Sequence, residues 1–166
     1  MSQLYHIDIM QPKAANVTLR LIFNVLAVCG TAVFTGAMMN IGLSFVPYWQ
    51  SLPPAEFLDW FSKNGSFIGR TIPLYLAPAL IGLAGSLWLG WSDSHQRMLW
   101  SAALVCIIGL LAITAVYHLP ANSQFASKSI SPDQIPRALN MWLTLHTVRI
   151  ALGLIASVVG VIAVSR

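Results

Sequence analysis

The chain has 166 residues, of which 57% are hydrophobic and only 8% are charged, and its formal net charge is +4. Soluble domains carry about 25% charged residues, so this chain has too few charges to cover a surface that faces water, and we expect lipid to surround most of it. Its nine Lys and Arg residues are too few and too scattered for a nucleic-acid surface, so we expect no nucleic-acid partner.

Four apolar runs are long enough to cross a bilayer, whose hydrocarbon core needs about 20 residues of helix. The predicted spans cover residues 21–46, 72–91, 98–119 and 140–164. The polar turn at residues 92–97 is so short that the second and third spans must form an antiparallel hairpin. The sequence therefore predicts an all-α fold, with residues 1–166 forming one integral membrane domain. Its four transmembrane helices form an antiparallel bundle with both termini on one side.

Two long connections lie on the side opposite the termini, which we call the loop side. The first, residues 47–71, begins where Pro47 is predicted to end the first helix. Apolar side chains at helical spacing after Pro54 predict a short amphipathic helix over residues 54–64, lying at the membrane interface. Residues 120–139 are predicted to form the second long loop.

Basic residues are divided evenly between the two sides of the predicted bundle. Those on the side of the termini are Lys13, Arg20, Arg97 and Arg166, and those on the loop side are Lys63, Arg70, Lys128 and Arg137. Because Lys13 and Arg20 precede the first span, we expect both termini in the cytoplasm and a multi-pass protein of the bacterial inner membrane. The first 20 residues contain no apolar core of a signal peptide, so we expect the first span to be retained.

Unusual polar side chains gather at the loop-side ends of all four predicted spans. They are Asn40 in the first span, Tyr75 in the second, Thr114 and His118 in the third, and Trp142, His146 and Arg149 in the fourth. The last three stand at positions i, i+4 and i+7 and therefore share one helix face. Ionisable residues inside a membrane are costly and indicate a functional site, so this cluster is the predicted site.

Arg149 is the most costly of these residues, since it lies about 15 Å along the last helix at 1.5 Å per residue. An arginine at that depth is expected to face the interior of the bundle and to find an acceptor there. The acidic residues on the loop side are Glu56, Asp59 and Asp133, and we predict that Glu56 or Asp59 folds over this end of the bundle and pairs with Arg149. Backbone carbonyls left free near Pro78 or Pro120 are the alternative acceptors.

Two motifs in the last third of the chain carry a family resemblance. Thr114 to Asn122 reads T-x-x-x-H-x-P-x-N, and Trp142 to Arg149 reads W-x-x-x-H-x-x-R. The pattern resembles the anthrone oxygenase-like family of small membrane proteins (DUF1772), in which Asn is usual at the position that His118 occupies. The resemblance implies a four-span protein. The few members with an assigned activity are similar to cofactor-independent oxygenases that convert an anthrone to an anthraquinone.

The resemblance also implies roles for the clustered residues. A base such as His146 would remove a proton from the acidic carbon of the substrate, and Arg149 and Asn122 would stabilise the oxyanion that forms. A flat lipophilic substrate would stack on Trp142. The predicted catalytic residues are His146, Arg149, His118 and Asn122, the predicted substrate-binding residues are Trp142, Asn40, Tyr75 and Thr114, and no metal or other cofactor is expected.

Two alternatives remain open from the sequence. His118 and His146, on adjacent helices at similar depth, could instead ligate a metal ion or a haem. The chain could also be a non-enzymatic binding or scaffold subunit that forms homo-oligomers through small-residue helix faces, at Gly30, Gly36, Gly82 and Gly85. The expected partners in all cases are membrane lipid and, for an enzyme, a lipophilic small molecule.

Overall fold

A computed structural model describes residues 5–165 of the chain, and the side chains of residues 16–165. The side chains of Lys13 and Arg166, on which the predicted orientation partly depends, lie outside this range. All regular structure in the described part is helical, which confirms the predicted all-α fold.

The described chain contains seven α-helices, two π-helical turns and one 3₁₀ turn. They are α1 (Tyr5–Asn40), a first π-helical turn (Ile41–Phe45), α2 (Val46–Ser51), α3 (Pro54–Gly69), α4 (Ile72–Leu89), α5 (Ser94–Ile113), a second π-helical turn (Thr114–His118), α6 (Leu119–Ser127), a 3₁₀ turn (Pro132–Gln134) and α7 (Ile135–Val164). Several run on into one another and form four long apolar helices: Asn16–Ser51, Pro54–Leu89, Ser94–Ser127 and Pro132–Val164. By length and composition each can cross a membrane, as the sequence predicted.

The long connections predicted on the loop side are mostly helical instead. The four spans contain 33 to 36 residues each, which corresponds to about 50 Å of helix, whereas the hydrocarbon core is about 30 Å thick. The prediction of a long loop over residues 120–139 was wrong, because α6 and α7 cover most of it. The predicted amphipathic helix is present but extends from Pro54 to Gly69. Its placement at the membrane interface stays a prediction.

Two prolines were predicted to end helices, but the helix continues through both of them. Pro47 and Pro120 each stand two residues after a π-helical turn, which ends at Phe45 in one case and at His118 in the other. Proline lacks the N–H that an α-helix requires and its ring clashes with the carbonyl four residues back. A wider π turn relieves that clash and rotates the side chains that follow it, so Pro47 does not end the helix as predicted.

Hydrogen bonds at the end opposite the loop side confirm the antiparallel order of the spans. Arg20 Nη2 donates to the carbonyl of Leu89 at 3.4 Å, and Gln96 Nε2 donates to the carbonyl of Ala163 at 2.7 Å. The beginning of the first span therefore lies beside the end of the second, and the end of the fourth lies beside the beginning of the third. Which face of the membrane this end occupies stays a prediction.

Glycines bring the first two spans into backbone contact. A β-carbon added to Gly30 would lie 2.6 Å from the backbone nitrogen of Ala79, and one added to Gly82 would lie 2.1 Å from that of Ala27. One added to Gly85 would lie 2.2 Å from the ring of Phe23. Three of the four glycines predicted to drive oligomerisation, Gly30, Gly82 and Gly85, are thus occupied by packing within the chain, whereas Gly36 is exposed with open space around it. The oligomeric state itself stays a prediction.

Two hydrophobic cores divide the bundle along its length. One fills the half near the termini, around Phe34, Leu83 and Trp100. The other fills the loop-side half and includes five aromatic rings that we call the aromatic cap: Trp49, Phe57, Phe61, Phe125 and Trp142. Neighbouring rings in the cap lie 5.1 to 6.0 Å apart between centroids. The cap closes the loop-side end of the bundle over the predicted site.

Replacing Gly82 by Ala tests the contact between the first two spans. The added β-carbon would overlap the backbone of Ala27, so we expect Gly82→Ala to lower the free energy of unfolding by about 1–3 kcal/mol. Thermal unfolding in detergent, followed by circular dichroism, measures this. Gly36→Ala is the matched control, because no described heavy atom lies within 4 Å of its added β-carbon. Equal melting temperatures for the two variants would contradict the packing described here.

Asp93 caps α5 and should make stability depend on pH. Its Oδ1 accepts hydrogen bonds from the backbone N–H groups of Gln96 and His95, and these bonds lower the pKa of Asp93 below its ordinary value of 3.8. A carboxyl whose pKa is lower in the folded state stabilises the fold above its unfolded pKa and loses this effect as the pH falls through the folded value.

We therefore expect the melting temperature of the wild type to fall more steeply than that of Asp93→Asn as the pH drops below 3.8. The Asn amide can still cap the helix but does not titrate. Melting curves of both proteins across that pH range measure the difference, and parallel curves would rule out the cap as a source of pH dependence.

Candidate functional site

A cavity of about 350 Å³ lies under the aromatic cap in the loop-side half of the bundle. We call it the polar cavity, because one wall carries six polar or aromatic side chains: Thr114, His118, Asn122, Trp142, His146 and Arg149. Trp49 and Phe61 line its cap end, and apolar residues of α3 and α4 form the opposite wall. The structure thus brings six of the eight sequence-predicted site residues to one cavity.

His146 is held by hydrogen bonds at both ring nitrogens. Its Nε2 lies 2.9 Å from the carbonyl oxygen of Met38 in α1, and its Nδ1 lies 3.4 Å from Nη1 of Arg149. A carbonyl can only accept and a guanidinium can only donate, so Nε2 carries the proton and Nδ1 is the acceptor. Both nitrogens of His146 are therefore engaged within the protein.

Arg149 lies in the interior, as its position on the helix predicted, with 6% of its surface exposed. The predicted pairing with Glu56 or Asp59 was wrong, because Asp59 forms an ion pair with Lys128 instead. Within the described residues no carboxylate lies at hydrogen-bond distance from Arg149. The neighbours of its guanidinium are the His146 ring and, at 3.4 Å from Nη2, the sulfur of Met38.

His118 is also buried, with 1% of its surface exposed. The second π-helical turn ends at this residue, and its Nδ1 lies 3.5 Å from the carbonyl oxygen of Ile113, five residues back. Its ring meets that of Trp142 edge-on at 4.9 Å and lies 6.0 Å from that of His146. The wide turn therefore places a second imidazole on the wall that carries His146.

Trp142 links the two histidines and fixes the orientation of Asn122. Its ring stacks on His146, with centroids 4.6 Å apart and an interplanar angle of 22°. Its Nε1–H donates to Oδ1 of Asn122 at 2.9 Å. Because indole can only donate, the amide oxygen of Asn122 faces Trp142 and its NH₂ group is turned away from the indole.

Three buried side-chain atoms have no hydrogen-bond partner among the residues that the structure describes: Trp49 Nε1, His118 Nε2 and Arg149 Nε. We call them the orphan atoms. All three residues line the polar cavity. A buried polar group without a partner costs about 1–3 kcal/mol, and more when it is charged. The residues that carry the three atoms meet at one cavity, which makes this cavity the candidate site.

Two predicted substrate-binding residues lie elsewhere. Asn40 and Tyr75 line a neighbouring cavity of about 350 Å³. It is separated from the polar cavity by three isoleucines that line both: Ile41, Ile68 and Ile72. Thr114 does line the polar cavity, but its hydroxyl donates to the carbonyl of Leu110 at 2.8 Å. The predicted substrate contact of Asn40 and Tyr75 is therefore not supported at this cavity.

Sequence reasoning missed two contributors, Trp49 and Met38. Trp49 fell in the predicted connection over residues 47–71, because Pro47 was expected to end the helix; the structure instead keeps it helical after a π-helical turn, and the sequence contains no signal for that turn. Met38 contributes its carbonyl and its sulfur to His146 and Arg149. A backbone carbonyl leaves no trace in the residue pattern, so no sequence signal could have indicated it.

The fold defines a class: a multi-pass integral membrane protein with four helices able to span the membrane and a cluster of buried polar residues near one end of its bundle. More specifically, the chain belongs to the anthrone oxygenase family, whose family model matches residues 60–159. The match includes His118, Asn122 and the W-x-x-x-H-x-x-R motif, but not Met38 or Trp49. No curated protein and no solved structure is significantly similar to the chain.

Replacing Asn122 by Ala tests the bond that orients Trp142. The indole N–H would lose its acceptor while 5% exposed, so we expect the free energy of unfolding to fall by about 1–3 kcal/mol. Chemical unfolding in detergent micelles, followed by tryptophan fluorescence, measures the loss. Asn140→Ala is the control, because Asn140 is exposed on the same end of the bundle. A loss of the same size in both variants would argue against the Trp142–Asn122 bond.

Proposed function

We propose that the polar cavity binds a flat lipophilic aromatic ketone or phenol and that the chain oxygenates it with dioxygen, without a cofactor. The observation that carries this proposal is Arg149, a buried cation with no carboxylate at hydrogen-bond distance among the described residues. A buried charge is tolerated when a counter-charge reaches it. A substrate that becomes an oxyanion during the reaction would supply that counter-charge.

The donors around the cavity suit such an oxyanion. The orphan atoms of Trp49 and Arg149 are both N–H donors, and the NH₂ group of Asn122, which lines the same cavity, is a third donor. Donors fixed in position before the reaction stabilise negative charge as it develops on oxygen, because they need no reorganisation. A neutral ketone would gain less from them than its enolate, which is the requirement for catalysis.

His118 is a better candidate for the base than His146. Both ring nitrogens of His146 are engaged, by Met38 and by Arg149, so it would have to break a bond to accept a proton. If Nδ1 of His118 donates to the carbonyl of Ile113, its orphan Nε2 is a lone pair ready to take a proton. We therefore assign the base role to His118 and a positioning role to His146, which holds Arg149 and stacks on Trp142.

The proposed reaction is balanced by dioxygen alone. His118 takes one proton from an acidic methylene carbon, and the carbanion that remains transfers an electron to dioxygen. The two radicals join to form a carbon–oxygen bond, and the resulting peroxide takes up a proton. Loss of the second methylene proton with cleavage of the O–O bond then gives a ketone and water. The carbon is oxidised by four electrons and dioxygen is reduced by four, so no further reductant is needed.

The shape of the cavity suits a flat aromatic substrate. Its volume of about 350 Å³ lies within the range of small-molecule sites, about 300–1,000 Å³. Trp49, Phe61 and Trp142 present aromatic rings to it, against which a planar ring system can pack edge-on or stacked. The family to which the chain belongs is described as anthrone oxygenase, and an anthrone combines a ketone, flat rings and an acidic methylene group.

The residues fit a metal or haem ligated by two histidines less well. A ligating imidazole must offer an unprotonated nitrogen, and His146 uses both of its nitrogens within the protein. No cluster of three or more potential metal ligands occurs in the described residues. His118 alone offers an orphan nitrogen, so we give preference to a substrate over an axial ligand there.

Oxygen consumption by the purified protein in lipid nanodiscs, with an anthrone as substrate, tests the proposal. We expect wild type to consume one dioxygen per substrate and His118→Ala to lose about a hundredfold or more in kcat, because general-base catalysis typically contributes 10²–10⁴-fold. His95→Ala is the matched control, since His95 is exposed in the first turn of α5, at the opposite end of the bundle. Melting temperatures show whether each variant is folded.

Three results would overturn the proposal, the third of them only its catalytic part. One is unchanged oxygen consumption in His118→Ala, which would remove the base. The second is a stoichiometric metal or a visible haem spectrum that is present in wild type and lost in His118→Ala, which would favour the ligand alternative. Absence of any oxygen consumption, with tight binding of the same substrate, would leave a binding protein rather than an oxygenase.

A further inference from the structure

We infer that substrate reaches the polar cavity sideways from the lipid, through an opening between α4 and α6, and that Gly69 sets the width of molecule that this opening admits. The inference rests on the proposed function, since it assigns a path to the same substrate. It adds a residue that determines specificity without touching the reacting atoms.

Exposure of the lining residues shows where the cavity opens. Its polar wall is closed, with His118 and His146 each 1% exposed. Its opposite side is not closed, because three residues there are exposed. They are Gly69 and Pro73, at the junction of α3 and α4, and Leu119, which is 60% exposed at the start of α6. The cavity therefore runs from a buried polar wall to an exposed apolar rim.

The residues around this rim face hydrocarbon rather than water. Leu74, next to Pro73, is 72% exposed, and Val116, one helical turn before Leu119, is 79% exposed. Both belong to helices that are apolar enough to span a membrane. Large apolar side chains with this exposure are expected where lipid is the solvent. A lipophilic substrate dissolved in the bilayer can thus enter without crossing water.

Gly69 leaves space at this rim. It is the last residue of α3, before a two-residue break leads into α4, and no described heavy atom lies within 4 Å of a β-carbon built there. A side chain added at Gly69 therefore has room beside the cavity that this residue lines, without displacing a helix. Gly65 differs, although it lines the same cavity, because its β-carbon would lie 2.7 Å from the ring of Phe61.

The test compares Gly69→Phe with the matched control Gly36→Phe. Gly36 is an exposed helical glycine that also has open space around it within the described residues, but it does not line the polar cavity. Both proteins are reconstituted in nanodiscs under nitrogen, so that no oxygenation occurs. Binding of a wide probe, a dihydroxyanthraquinone, and of a narrow probe, phenol, is followed by quenching of tryptophan fluorescence in a stopped-flow instrument.

We expect Gly69→Phe to slow association of the wide probe by about tenfold or more, while the narrow probe associates at nearly the wild-type rate. Gly36→Phe should bind both probes like wild type. Gly69→Ala, with a smaller side chain, should give an intermediate rate for the wide probe. Melting temperatures near that of wild type confirm that the variants are folded.

Three outcomes would overturn the inference: an unchanged rate for the wide probe in Gly69→Phe, equal slowing of both probes, or equal slowing in Gly36→Phe. Failure of wild type to bind the wide probe would overturn the proposed substrate class and the portal with it. Selective slowing in Gly69→Phe, combined with no oxygen consumption in the separate assay, would support the portal and overturn the oxygenase reaction.

Discussion

A buried guanidinium without a carboxylate partner among the described residues is the constraint on which the site depends. Arg149 cannot lose its charge readily, and the bundle gives it only a histidine nitrogen and a methionine sulfur as neighbours. His146 is therefore fixed in one tautomer, and the carbonyl of Met38 holds its other nitrogen. The positive charge of Arg149 has no counter-charge among the described residues, and an anionic oxygen bound in the cavity would supply one.

Two π-helical turns give this constraint its geometry. One lies just after Met38 and leads into the helix that carries Trp49, and the other ends at His118. Each turn ends two residues before a proline. On both sides of the cavity, a π-helical turn therefore accommodates a proline, which lacks an N–H, within a continuous helix. The residues that carry two of the orphan atoms, Trp49 and His118, thus stand directly after or at the end of a π-helical turn.

Close packing elsewhere in the bundle keeps the cavity open. The first and second spans meet at Gly30 and Gly82, where backbones are in contact, and the far core around Trp100 is filled by large side chains. The aromatic cap closes the loop-side end. With both ends packed, the space between them persists as a cavity whose exposed rim lies at Gly69 and Leu119.

The sequence by itself indicated that lipid surrounds most of the chain. It also determined the fold class and the identity of most polar residues in the cavity. Hydropathy over whole helices is a sum of many small contributions, so the four spans are specified locally. The i, i+4, i+7 spacing of Trp142, His146 and Arg149 is likewise a local property of one helix. These features could be predicted without knowing which helices are neighbours.

Only the tertiary structure decided how those residues are paired. The partner of Arg149 depends on the packing of α1 against α7, and the engagement of His146 depends on a backbone carbonyl of Met38, which no residue pattern encodes. Pro47 and Pro120 were predicted to end helices, because proline normally interrupts an α-helix, whereas the π-helical turns that precede both are visible only in the structure. That difference placed Trp49 on the cavity. Long-range contacts likewise determine which polar atoms stay without partners, and for that reason we propose His118 rather than His146 as the base.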